Sequence, residues 1–124
     1  MMKLLPFSAL VLILLLNGCG KKDVRRDNYP SGKIRTEATI KNALLDGPST
    51  MFYENGQKMS EANYHAGVLD GKTVSYYENG TRKAGAEYKD GVLNGVSTNW
   101  SEDGREQSKA TFINGVPQDE KKAK

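Results

Sequence analysis

The strongest constraint on this chain is that it repeats itself every 24 residues. Tyr-Glu-Asn-Gly at 53–56 returns at 77–80, and Gly32, Gly56, Gly80 and Gly104 fall in one register. Gly47, Gly71 and Gly95 form a second series, and Gly67, Gly91 and Gly115 a third. A linker or disordered tract would scatter its glycines. A fixed beat marks a repeat architecture whose turns call for glycine at set places. The units run 29–52, 53–76, 77–100 and 101–118, with a short charged tail at 119–124.

Within each unit the residues dictate a hairpin. Asn-Gly and Asp-Gly take positive φ cheaply, so Gly32, Gly56, Gly80 and Gly104 are expected at tips joining antiparallel strands. The stretch after each tip alternates with period two. Ile34, Thr36, Ala38 and Ile40 line one face of the first copy; Lys58, Ser60, Ala62 and Tyr64 line it in the second, and Arg82, Ala84, Ala86 and Tyr88 in the third. The residues between them are mostly polar, and this alternation is that of half-buried strand. A second turn holds Gly71 and Gly95, with Leu45, Leu69 and Leu93 as an apolar spine. The return strand ends at Phe52, Tyr76 and Trp100. The expected fold is therefore all-β, a meander of antiparallel hairpins in a single twisted or curled sheet, about 35 to 40 Å wide. Pro117 lacks a donor and suits an edge.

The amino terminus reads as an address. A positive start at Lys3 precedes an apolar run at 4–16, the length of a signal-peptide core and short for a membrane span. The run ends in Leu16, Asn17, Gly18 and Cys19, which resembles the bacterial lipobox, with Asn17 a departure from its usual small residue. The resemblance implies a signal peptide at 1–18, a lipid-bearing Cys19, and stable anchoring through two or more acyl chains. Polar residues at 20–28 read as a flexible tether following Cys19. Gly20 is not the Asp of lipoproteins kept in an inner membrane. The expected location is thus the cell envelope, at the periplasmic face of the outer membrane in a host with two membranes.

The unit Tyr-x-Asn-Gly, followed by Gly-x-Leu-x-Gly, resembles the MORN repeat variant, including bacterial proteins described as YwqK-family antitoxins. The resemblance spans 29–115, with departures at Ala43, Gly85 and Pro117. It implies scaffolding or contact with proteins or lipids, and no particular chemistry.

Composition narrows the function further. Eighteen basic against 15 acidic residues is too balanced and too evenly spread for a nucleic-acid partner. One cysteine and one histidine supply neither an internal disulfide nor a metal cluster. His65 reads as an exposed turn residue, and Glu54, Glu78 and Glu102 as solvated turn residues. No nucleophile has a base at a recognisable spacing, so neither a catalytic site nor a cofactor is expected. The six aromatics Phe52, Tyr64, Tyr76, Tyr88, Trp100 and Phe112 either fill the core of a rolled sheet or, if the sheet stays open, form an exposed stripe. Tyr53 and Tyr77, which point to the face opposite the aromatic row, are the better candidates for partner contact, followed by Tyr76 and Trp100. The expectation is a membrane-anchored, non-catalytic module that binds or scaffolds a protein at the envelope. Its alternatives are an immunity protein against an envelope-acting toxin and a structural protein that binds glycan or lipid headgroups.

Overall fold

In the computed structural model residues 20–118 are described; the signal segment, Cys19 and the tail 119–124 lie outside them. Every regular element among the described residues is a strand: β1 (Asp23–Asn28), β2 (Ile34–Lys41), β3 (Leu44–Phe52), β4 (Lys58–His65), β5 (Val68–Leu69), β6 (Gly71–Tyr76), β7 (Arg82–Lys89), β8 (Val92–Leu93), β9 (Gly95–Trp100), β10 (Glu106–Ile113) and β11 (Val116–Gln118). They pair antiparallel in chain order into one open sheet, with β5 against β4 and β8 against β7 as the near ends of β6 and β9. This is the hairpin meander the period predicts. The stretch expected as a flexible tether departs from that reading. Its residues 23–28 form β1 and pair with β2 from Asp23↔Ile40 to Asn28↔Ile34. These six residues fall in the register of a return strand, and the free edge of β2 offers them a ladder.

Two kinds of turn alternate along the ribbon. At each tip the glycine N–H donates to the carbonyl three residues back, at 2.8–2.9 Å (Gly32 to Tyr29, Gly56 to Tyr53, Gly80 to Tyr77, Gly104 to Ser101). Only the glycine has positive φ there, at 87–89°. The tips are therefore turns closed by a left-handed glycine bulge, not two-residue turns in which Asn and Gly are both left-handed. The two-residue turns sit at the opposite margin. Ala66 and Gly67 (φ 48° and 81°), Asp90 and Gly91 (49° and 80°), and Asn114 and Gly115 (49° and 79°) all take the left-handed pair such turns need.

In the first unit that pair is Asn42 and Ala43, and Ala43 holds φ 63° where later copies have glycine. Alanine crowds its Cβ against the carbonyl in this region. Replacing Ala43 with Gly should raise stability by about 1 kcal/mol, after discount for the looser unfolded chain. Equilibrium urea unfolding reads this directly; no gain would mean that the first turn is not left-handed.

The sheet has no second layer among the described residues. Among the described residues Ala38 is the one buried apolar side chain, at 8% exposure, with Asp46 and Thr98 the buried polar ones. The rolled-sheet outcome for the six aromatics is thus excluded: they sit on two faces of an open ribbon. Tyr64 and Tyr88 share a face with Leu69 and Leu93, to which they are paired, and Phe112 follows opposite Pro117. Trp100 lies on the other face, against Gly85. Without an interior, cohesion comes from the ladders and from unit-to-unit side-chain bonds.

Candidate functional site

Those bonds decide what the recurring residues do. The hydroxyl of Tyr29 donates to the Phe52 carbonyl (2.6 Å), that of Tyr53 to Tyr76 (2.8 Å) and that of Tyr77 to Trp100 (2.9 Å). Each ties one tip to the next. Asn55 and Asn79 repeat the device, donating their side-chain amides to the Glu78 and Glu102 carbonyls at 3.0 and 3.2 Å. Tyr53 and Tyr77, candidates for partner contact, are half-buried with their hydroxyls engaged in this ladder.

The opposite margin has its own ladder, which the sequence reading did not single out. Asp46, Asp70 and Asn94 accept the backbone N–H of Ala66, Asp90 and Asn114, at 3.0, 3.4 and 3.0 Å. The adjacent glycine N–H groups of 67, 91 and 115 donate to the Leu45, Leu69 and Leu93 carbonyls. An Asp or Asn every 24 residues was the available signal. Asp46 also meets Lys22 and His65, each at 3.3 Å. Its carboxyl is held below the usual range, first by the Ala66 N–H and then by Lys22. His65, expected in a turn, is instead the last residue of β4, paired with Val68; its side chain is otherwise open to solvent at 76% exposure.

Tyr76 and Trp100 stand in a different setting. Both lie on the face opposite the alanine row, as the pairs Ala84↔Asn99 and Gly85↔Thr98 require of strands that alternate. In the second unit the Tyr76 hydroxyl donates to Glu61 Oε2 (2.7 Å), and Lys58 donates to Glu61 Oε1 (2.6 Å). The Lys58 bond, then the Tyr76 bond, lower the Glu61 carboxyl, and the Glu61 bond raises the Tyr76 phenol. In the third unit the same three positions hold Arg82, Gly85 and Trp100. The indole covers Gly85, where a Cβ would lie 3.4 Å from Cη2 and Cζ3, and the Arg82 guanidinium sits 6.0 Å from the ring centroid. The departure at Gly85 is thus what seats Trp100.

Beside the indole runs a shallow groove of 180 Å³, lined among others by Lys72, Val74, Glu87, Val96 and Thr98. It offers an apolar floor between a lysine and a glutamate, and a planar aromatic wall. Among the described residues no three His, Cys, Asp or Glu side chains converge to hold a metal.

A single antiparallel sheet of sewn hairpins, with glycine-bulged tips at a constant beat, defines a β-repeat ribbon. Residues 45–66 and 69–90 match the MORN repeat variant, and a repeat of this kind suggests a binding or scaffolding module. No curated protein and no solved structure matches the chain.

Proposed function

We propose that this is a lipid-anchored protein of the bacterial cell envelope, held through Cys19, whose repeat ribbon binds a protein partner without catalysing a reaction. The observation that supports this most is the uncovered face carrying Tyr76, Trp100 and the groove. An aromatic wall with paired charges on a rigid, open sheet is the composition of contact surfaces. A repeat ribbon also presents such a face at fixed spacing, which suits recognition better than turnover. Tyr53 and Tyr77 contribute by fixing the tips rather than by free hydroxyls. Whether the partner is a toxin is a matter of its identity and leaves the surface unchanged.

The test is site-specific photocrosslinking in the native envelope. A crosslinker at Lys72, on the groove, should yield a discrete adduct; one at Asn99, on the opposite face, should not. The double variant Gly85→Glu/Trp100→Tyr, which rebuilds the arrangement of the second unit, should stay folded and lose the adduct. Equal adducts from both faces, or an adduct indifferent to the double variant, would remove this surface from consideration. The anchor has a separate readout: Cys19→Ala should abolish palmitate labelling and detergent partitioning.

A further inference from the structure

The two-residue turns leave an apolar side chain at one position of every unit. Leu44, Val68, Val92 and Val116 follow the turns at 24-residue intervals and are 49%, 44%, 44% and 60% exposed. Each of the first three lies over the next turn. A Cβ on Gly67 would sit 3.4 Å from Leu44 Cδ2, one on Gly91 3.2 Å from Val68 Cγ1, and one on Gly115 3.4 Å from Val92 Cγ1. The result is a continuous apolar ridge along one margin of the sheet, rising two strands per step and so roughly 30 Å long. Ile113, paired with Val116 and 53% exposed, closes its far end.

The chain's first described residues reach the same margin. Gly20 packs beside Lys41, with a Cβ position 3.9 Å from Cε. Lys22 meets Asp46 at 3.3 Å, and β1 starts opposite Ile40. Only Gly20, Lys21 and Lys22 therefore separate Cys19 from β1, a leash of at most about 14 Å from Cys19 to Asp23.

We infer that this ridge is seated on the bilayer that holds the Cys19 anchor, with the glycine-bulged tips directed away from it. The inference rests on the proposed lipidation of Cys19. A leash this short keeps the turn margin within reach of the headgroups. Apolar side chains on an amphipathic element settle about 5–10 Å into the headgroup boundary. Charge does not drive the contact. Lys21, Lys22, Lys41, Lys72 and Lys89 stand at this margin against Asp23, Asp46, Asp70, Glu87 and Asp90, and the signs cancel. The seating is apolar, holds on zwitterionic lipid and tolerates salt.

The experiment uses the full lipidated chain in phosphatidylcholine vesicles containing nitroxide-bearing lipid. A fluorophore is placed on Val92→Cys at the ridge or on Glu78→Cys at a tip, the native thiol being blocked by its lipid. The ridge label should lose about half or more of its emission and the tip label almost none, with the difference unchanged by salt. Equal emission from both labels on vesicle-bound protein would overturn the seating and leave the anchor standing. A chain that neither stays with vesicles nor takes up palmitate would remove both. A ridge label untouched by lipid quencher, but shifting to the blue with protein concentration, would assign the ridge to a second copy of the chain and overturn the inference.

Discussion

Replacing Gly95 with Ala should bring this protein to the edge of unfolding. Gly95 has φ 133°, a region alanine enters only under strain, and the new methyl would lie 2.8 Å from Glu87 Cβ and against its carboxylate. Backbone strain of about 1–3 kcal/mol adds to overpacking of similar size, against a total stability of about 5–15 kcal/mol for an ordinary domain. The two equivalent glycines separate the terms. Gly47, at φ 134°, would place a Cβ 3.1 Å from Thr39 Cβ, and Gly71, at φ 111°, one 3.4 Å from Asn63 Cβ. Urea midpoints should therefore fall most for Gly95→Ala, less for Gly47→Ala and least for Gly71→Ala. Pairing Gly95→Ala with Glu87→Gly should recover the overpacking part and not the strain. A Gly95 variant no weaker than its Gly71 counterpart would show that Glu87 does not pack against Gly95.

The second large effect belongs to Trp100. Gly85→Glu puts a side chain where the indole lies, since even its Cβ is in contact with Cη2 and Cζ3 at 3.4 Å. The ring must leave, and the loss of its cover over the glycine should lower stability by about 1–2 kcal/mol. Trp100 is the chain's one tryptophan, so its emission should shift to the red without interference. Adding Trp100→Tyr should restore stability, because the second unit already shows the working set: Lys58, Glu61 and Tyr76 bonded at 2.6 and 2.7 Å. Arg82 then takes the part of Lys58. A double variant as weak as the single one would mean that the two units do not share this geometry.

The legible part of the fold was the part carried by turn chemistry. Gly56, Gly80 and Gly104 and the alternation after them placed the tips and the strands. Pro117 falls on the short terminal strand β11, opposite Phe112. Period alone could not say which turn is which, because Asn-Gly serves both a two-residue turn and a glycine-bulged one. The surrounding ladder, seen in the Tyr53 and Gln57 backbone bond at 2.8 Å, decides for the bulge. Residues 23–28 read as tether because they carry no apolar alternation. All six are exposed, and they are strand only because β2 presents an edge in register.

The candidate surface was half legible. Tyr76 and Trp100 stood out as aromatics at the end of a return strand. Tyr53 and Tyr77 stood out more strongly as contact residues, yet their hydroxyls are spent on the tip ladder, and no pattern in the chain distinguishes a tyrosine that ties two tips from one that faces a partner. The pairing of Gly85 with Trp100 was visible only as a departure, since the two lie 15 residues apart and meet through the register Gly85↔Thr98. The row of Leu44, Val68, Val92 and Val116 keeps the period yet reads as ordinary strand filling until the sheet is seen to have no layer behind it.

The open, additive ribbon is the claim on which all of this depends, and distances between tips test it most directly. Spin labels at Ser31 and Glu78 should lie about 19 Å apart and labels at Ser31 and Glu102 about 29 Å, one hairpin adding about 10 Å. Electron spin resonance on the two doubly labelled chains measures both, with Cys19 replaced by Ser. Distances that grow by one hairpin's width per unit are the predicted result. A Ser31 to Glu102 distance equal to or shorter than the Ser31 to Glu78 distance would mean that the sheet closes on itself, and would contradict the account.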